Sequence, residues 1–514
     1  MSDQTAGGRY RQLVGKRDPF LRRARDAAKL TIPALMPPDA HSGHDKLPTP
    51  FQGLGARGVN NLSSKLLLAL MPPNSPFFRL TIDDYTLEQL VEEEGARAEV
   101  EEALGKIERA VMTEIEGQAI RVSVGEGLKQ LLVCGNVLLY LAPEGGMKVF
   151  RLDRYIVRRD PMGNPLEIIV QENVAPGVLP PKIQEAILAH HHGPKKPDDD
   201  VELYTRIYRD GNQWRIYQEV KGHVIPGTEG TYPLDKCPWI PLRFTKIDGE
   251  DYGRGYVEEY YGDLRSLEAL TQAIVEGSAA AAKILFLVDP NGTTQHRTLT
   301  EAPNGAVRTG NAADVTVLQA EKFNDFRVAF ETIGEIEQRL SYAFLLNTAI
   351  QRQAERVTAE EIRYMASELE DALGGVYSIL SLELQLPVVK RMVHQLEKQK
   401  KIPALPRDMV KPAITTGLEA LGRGHDLNKL DVFISGIQQT LGPEAVAEWL
   451  NVGDYLTRRG TALGIDMKGL VRTEEEVMQA RMAAQEAAQQ EQLQQVAIQG
   501  GMNMAQEAVK AQSK

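Results

Sequence analysis

Two apolar-striped segments of similar length bracket a short stretch full of turn signals, and this pairing constrains the fold more than any other feature of the chain. In the first segment, Asp263 can N-cap a helix whose Leu264, Leu267, Leu270 and Ile274 recur every three or four positions. Ser278 to Ala282 continue it with small side chains that permit close helix contact. In the second, Phe323, Phe326, Phe330, Ile333, Leu340 and Phe344 form a stripe at heptad-like spacing that needs a partner surface to cover it. Between them, Leu285 to Val288, Ala306 to Thr309 and Val315 to Leu318 read as three short extended runs, with turns at Pro290-Asn291-Gly292 and Pro303-Asn304-Gly305. Two helices bracketing one compact β insert are therefore expected.

The remainder is expected to be α+β and helix-rich. Residues 9 to 29 carry Arg9, Arg11, Lys16, Arg17, Arg22, Arg23, Arg25 and Lys29, a basic helix read as a solvated face, with a phosphate- or partner-binding role as the alternative. Val59, Leu62, Leu66, Ala69 and Leu70 have helical spacing and are stopped by Pro72 and Pro73. A charged helix, Leu87 to Ile115, precedes a third helix with Val124, Leu128, Leu131 and Leu132. Val137 to Leu141, Tyr155 to Arg158, Leu166 to Glu172, Val201 to Tyr208 and Gln213 to Val220 are β-rich runs separated by Pro, Gly and Asp clusters, which implies antiparallel strands. Thr358 and Glu361 form a capping box for a long helix bearing Ile362, Met365, Leu369, Leu373, Val376 and Leu380. Gly374-Gly375 and Pro387 predict a bend or break in it. From Thr473 the chain is rich in Ala, Gln, Glu and Met, which favours helix.

Composition narrows the function classes. With 514 residues, 42% hydrophobic and 25% charged, the chain has the balance of a soluble folded protein with more than one packing unit. Its longest apolar stretches, such as Leu66 to Met71 and Val137 to Ala142, fall far short of the roughly 18 residues that span a bilayer. No secretory signal is visible, so a cytoplasmic place of synthesis and work is expected. Cys134 and Cys237 lie far apart and read as small buried hydrophobes in a reducing compartment. A net charge of -11 argues against a tight grip on nucleic acid, although an acidic wall lets a duplex slide past without being held.

Motifs of catalysis are weak or missing. Gly53-Leu54-Gly55-Ala56-Arg57-Gly58 matches G-x-G-x-x-G, but Leu47-Pro48-Thr49-Pro50 before it is no strand, so it is read as a flexible lead-in to the following helix. There is no Walker-type phosphate loop, no G-x-S-x-G, no H-E-x-x-H and no Cys-x-x-Cys. His190, His191 and His192 are consecutive, cannot converge on one tetrahedral centre, and read as part of a surface loop. Arg352 and Arg356 lie in a polar loop between two helices and are the candidates for phosphate contact, against simple solvation or ion pairing between subunits. No catalytic residue, metal ligand or cofactor is expected.

Four blocks carry a likeness when taken together: GARGVNNLSSKLLLALMPP at 55 to 73, LKQLLVCGNVLLYL at 128 to 141, DGEDYGRGYVEEYYGDLRSLEAL at 248 to 270, and ERVTAEEIRYMASELEDALGGVYSILSLELQLP at 355 to 387. In this order, to about residue 430, the chain resembles the portal (head-to-tail connector) proteins of podoviruses related to the short-tailed coliphages. The resemblance implies a portal fold with wing, stem, clip and crown regions in a ring of about twelve subunits at one capsid vertex. On that plan 1–262 is the wing with its N-terminal basic helix, 263–284 and 322–346 are the stem helices and 285–321 is the clip. Residues 347–357 are the channel loop, 358–430 the long kinked helix and inner wing, and 431–514 the crown.

The implied partners are further copies of the chain, double-stranded DNA passing through the channel, a terminase packaging motor, a tail adaptor, and the major capsid, scaffold and internal core proteins. The implied place is the virion, after assembly in the host bacterial cytoplasm. Asn291, His296, Arg297, Asn304 and Arg308 are the candidate docking surface of the clip, and Arg352 and Arg356 the DNA-facing residues of the channel loop. The competing expectations are a nucleotide-binding enzyme using residues 53 to 58, and another internal virion or scaffold protein.

Overall fold

The computed structural model describes residues 5–39, 41–73, 76–82, 96–188, 199–281, 285–318, 323–346, 368–369, 372–373, 375–405, 410–414, 432–440, 442, 450, 452–453, 455–456, 477–479 and 482–483. They fall into two compact units. Met1–Phe78, Val111–Ala404 and Ile414–Leu418 form the first, and Arg79–Ala110, Leu405–Ala413 and Glu419–Lys514 the second.

The first unit opens with helix α1 (Ala6–Lys29), N-capped by Thr5, whose side chain accepts from the Gly8 N–H at 3.1 Å. Helix α2 (Leu54–Leu70) follows, and its Val59, Leu62, Leu66, Ala69 and Leu70 are all fully buried, as the spacing requires. Gly55 and Gly58 lie inside this helix, which corrects the lead-in expectation. A Cβ at Gly55 would stand 2.5 Å from the Leu30 carbonyl oxygen, and one at Gly58 would stand 2.6 Å from Phe344 Cγ. These glycines admit neighbouring chain and leave no cradle for a pyrophosphate.

Helix α4 (Ile120–Cys134) packs on α1 and α2 and buries Val124, Leu128, Leu131 and Leu132. It ends at Gly135, whose φ of 71° turns the chain directly into strand β2 (Asn136–Leu141). That strand is flanked in antiparallel fashion by β3 (Met147–Phe150) and β10 (Trp239–Arg243). The sequence expectation did not single out β10, which contains Pro241; it is tolerated because β10 is an edge strand.

The larger sheet runs β4 (Tyr155–Arg159), β5 (Pro165–Val174), β6 (Val201–Asp210), β7 (Gln213–Val220) and β8 (His223–Val224), all antiparallel, with β9 (Gly230–Pro233) also paired to β7. Its four long strands match four of the five β-rich runs, and the fifth, Val137 to Leu141, is β2 of the smaller sheet. Alternation sends neighbouring side chains to opposite faces. Leu203 packs with Leu179, Ile183 and Ile187 around helix α5 (Pro181–Leu188), whereas Tyr204 packs with Ile156, Ile169 and the Ala6, Tyr10 and Leu13 side of α1.

The basic helix is therefore docked on the sheet, not a plain solvated face. Glu219 accepts from the Ala6 N–H at 2.7 Å and the Gly7 N–H at 3.3 Å, placing a carboxylate at the positive end of the helix. Glu167 holds Arg9 at 3.0 Å and Arg206 at 2.7 Å. Arg17 is buried and donates to the Tyr10 hydroxyl at 2.8 Å and the Asp153 carbonyl at 2.9 Å. Basic residues whose stems lie on apolar surface can serve a core while keeping helical charge periodicity, so composition alone does not separate the two cases.

After the segment that contains the Thr358 and Glu361 capping box, which lies outside the described residues, helix α10 (Val376–Leu380) passes through a π-turn, Ser381–Gln385, into α11 (Leu386–Lys398). Pro387 does not break the run. The Leu386 N–H bonds five residues back to Ser381, and this widened turn relieves the clash that a proline ring makes with the carbonyl four residues before it. In the second unit, β1 (Phe78–Ile82) pairs with β13 (Val410–Ile414), and helix α3 (Ala96–Gly117) begins there, its Glu108 accepting from the Leu80 N–H at 2.6 Å. His190 to His192 and most residues after 414 lie outside the described residues.

Glycine substitutions discriminate packing from propensity. Gly58→Ala should lower stability by about 1–3 kcal/mol through overpacking against Phe344. Gly15→Ala, in an exposed turn of α1 with nothing within 4 Å, should raise it by roughly 0.5–1 kcal/mol. Denaturant midpoints of the two variants check the opposite signs.

Candidate functional site

The expected pair of helices is present as α7 (Tyr261–Ala281) and α9 (Phe323–Ala343), preceded by the short helix α6 (Tyr256–Glu259). Helix α7 starts two residues before Asp263, so Asp263 sits in the first turn instead of capping it. There it takes the Arg339 guanidinium at 3.0 Å, which ties the beginning of α7 to the end of α9 and shows the pair to be antiparallel.

The base of this hairpin is embedded. Leu264, Leu267, Leu340 and Phe344 are fully buried. The Phe344 ring stands edge-on to Tyr256 at 5.8 Å and over Gly58, and the Tyr256 hydroxyl donates to the Ala343 carbonyl at 2.8 Å. Glu268 accepts the Phe51 N–H at 2.9 Å and the Gln52 N–H at 3.2 Å. Further out the pattern changes: among the described residues, no side chain from 268 to 279 or from 327 to 335 is buried. Val275, Val328 and Phe330 are 49%, 63% and 70% exposed.

At the outer end, β11 (Leu285–Val288) and β12 (Val315–Leu318) pair antiparallel, with Val288 opposite Val315. Ala306 to Thr309 is not a third strand. Gly305 (φ 83°) and Pro303 set it in a loop that the Ala306 N–H closes on the Pro303 carbonyl at 3.1 Å, while polar side chains tie the turn after β11 to the approach to β12. Asp314 accepts from the Thr293 and Thr294 N–H groups at 2.8 and 3.0 Å and from the Thr293 hydroxyl at 3.0 Å. Thr294 Oγ1 in turn accepts from the Asn311 N–H at 2.8 Å. Sequence inspection missed Asp314; its signal was an Asp immediately before a strand, with paired threonines after the opposing Pro-Asn-Gly turn.

Asn291, His296, Arg297, Asn304 and Arg308 are all exposed on this tip. His296 and Arg297 belong to a short helix α8 (His296–Thr300), and Arg297 pairs with Glu301 at 3.0 Å. Among the described residues, no hydrogen bond or ion pair joins the five to one another. Arg352 and Arg356 lie outside the described residues. The last described turn before them is well tied: Leu345 takes a left-handed conformation (φ 52°), the Leu346 N–H bonds back to Ser341 at 2.8 Å, and Asn61 Nδ2 donates to the Phe344 and Leu345 carbonyls at 2.9 Å each.

Metal and membrane chemistry find no support in the described residues, which contain no group of three His, Cys, Asp or Glu able to hold a metal ion and no helix long and apolar enough to cross a membrane. Burial pushes the Cys134 thiol well above its ordinary range and the Cys237 thiol up to about 12, so neither is a thiolate near neutrality.

Hydrogen bonds from Thr294 and Thr293 hold the Asp314 carboxyl below its ordinary 3.8. A depressed carboxyl contributes order that is fully present above its unfolded value and is lost as pH falls through the folded one. Asp314→Ala should therefore speed amide exchange at Thr293 and Thr294, and the unaltered protein should approach that behaviour only in acid below pH 3.8. Hydrogen–deuterium exchange corrected for intrinsic rates measures both.

Comparison with known proteins gives this hairpin a context. A family model described as "Bacteriophage head to tail connecting protein" matches residues 3–471. The portal protein of Escherichia phage T7 is 47% identical over 492 residues, covering 94% of this chain and 91% of that protein. The portal protein of Enterobacteria phage T3 is 47% identical over 495 residues, covering 95% and 92%. That of Enterobacteria phage SP6 is 33% identical over 481 residues, covering 93% and 91%. With an embedded base, a bare outer half and a match of this extent, the chain belongs to the family of bacteriophage head to tail connecting proteins, the podovirus portal proteins among them.

Proposed function

We propose that the chain is a structural portal subunit that closes into a ring of about twelve copies at one capsid vertex. The observation that carries this is the outer half of the hairpin: Val275, Val328 and Phe330 are anchored on rigid helices yet left to solvent. Apolar side chains held on a rigid protrusion are the mark of an association surface. Copies arranged side by side would cover one hairpin with the next and leave a hole at the axis.

The ring is a conduit for double-stranded DNA during packaging and ejection. Net charge of -11 per chain favours walls that repel phosphate. Arg352 and Arg356, one of each per copy, would add a narrow positive belt where the loop 347–357 meets the duplex. The β tip is the docking place of the packaging motor during filling and of a tail adaptor afterwards, through Asn291, His296, Arg297, Asn304 and Arg308. Internal core proteins meet the C-terminal region. The chain supplies no fuel chemistry in this scheme, and its place is the virion, after assembly in the host cytoplasm.

Negative-stain images of purified protein should show closed annular particles. Val328→Asp combined with Phe330→Asp should leave the helical circular dichroism unchanged while raising the half-assembly concentration by at least about a hundredfold, since two desolvated anchors each give way to a charge. Solely compact monomers of the unaltered protein under assembly conditions would contradict the ring. Arg352→Ala with Arg356→Ala should preserve rings and alter DNA packaging or retention; unchanged behaviour in both would remove the loop from the mechanism.

A further inference from the structure

Helix α11 carries Arg391, His394 and Lys398 at spacings of three and four, which places them on one face. This face packs on the turn Leu234–Lys236. Tyr232 lies beside two of the cations, with its ring centroid 5.1 Å from the Arg391 guanidinium carbon and 5.9 Å from Lys398 Nζ. Arg391 is only 3% exposed, and its Nε and Nη1 are buried with no hydrogen-bond partner among the described residues. Glu397 lies 3.8 Å from His394 Nδ1, and Asp235 stands on the facing turn.

Electrostatics agree with the geometry. Burial, followed by the charges of Lys236, Lys398 and Arg391 and opposed by Glu397, pushes the His394 pKa down to about 4. His394 is then neutral near pH 7, and the local excess of positive charge rests on Arg391, Lys236 and Lys398. An aromatic face compensates a buried guanidinium less well than a carboxylate does. Other copies of the chain carry an excess of carboxylates, 70 acidic against 59 basic residues, that can meet the lysines at the rim of this buried charge.

We propose that this basic stripe, with Lys236 and Lys398 at its rim and Arg391 behind Tyr232, receives an acidic segment of a second copy of the chain. The inference rests on the ring assembly proposed above and assigns the chemistry of one contact within it. Lys236 is half-buried and Lys398 exposed, so the rim can be altered without opening the core.

The test mixes protein of natural isotope content with heavy-isotope-labelled protein, lets it assemble, and adds a zero-length carbodiimide that couples an amine only to a carboxylate in contact with it. Peptide pairs of mixed isotope content should join Lys236 or Lys398 to an Asp or Glu. Lys236→Glu with Lys398→Glu, checked for fold by circular dichroism, should raise the half-assembly concentration about tenfold or more. Rings whose Lys236 and Lys398 links are absent or all of one isotope, or a double variant that assembles at the same concentration, would overturn the proposal while leaving the ring intact. Inorganic phosphate that raises the melting temperature of the dilute unassembled protein, with the rise lost in the double variant, would overturn it in favour of a free-oxyanion site. If the unaltered protein never assembles, the ring falls and this contact with it.

Discussion

The structure depends on one contrast along a single hairpin: its base is buried in the body of the chain and its outer half is not. At the base, Phe344 fills the space that Gly58 leaves, Tyr256 ties down the end of α9, and Glu268 takes two backbone N–H groups from the approach to α2. Burying side chains the size of Leu and Phe contributes roughly 1.5–3 kcal/mol each, so this footing is firm. Beyond it, Val328 and Phe330 have no such cover. A rod that is footed at one end and carries exposed Val and Phe along the other has apolar surface left to cover.

Charge is handled in the same way at two scales. Within the chain, Glu219 takes the first N–H groups of the N-terminal helix and Glu167 fixes its Arg9 beside Arg206 of the sheet. At the tip, one carboxylate, Asp314, organises a loop that has little apolar area to hold it. Exposed pairs such as Arg297 with Glu301 add little to stability.

Periodicity made the helices and long strands legible because it records burial, and burial is what these elements have in common. Val124, Leu128, Leu131 and Leu132 were readable for that reason, as were the alternating faces of β6. Features settled by tertiary context were not. Asp263 looked like a cap and became an ion-pair partner of Arg339; Ala306 to Thr309 looked extended but has no strand beside it. Pro387 looked like a break until a π-turn made room for it, and the basic helix looked solvated because its acceptors come from residues some 150 to 210 positions away. The docking role proposed for residues of the tip rests on family likeness, since an exposed Asn or Arg has no local signature of its purpose.

The central claim is that the bare half of the hairpin is covered by its neighbours. A cryo-electron microscopy reconstruction of the assembled protein tests it most directly. The account requires Val328 and Phe330 of each copy to be buried against the α7 or α9 helix of an adjacent copy around a central opening. An assembly in which these side chains still face solvent, with the copies joined elsewhere, would contradict it.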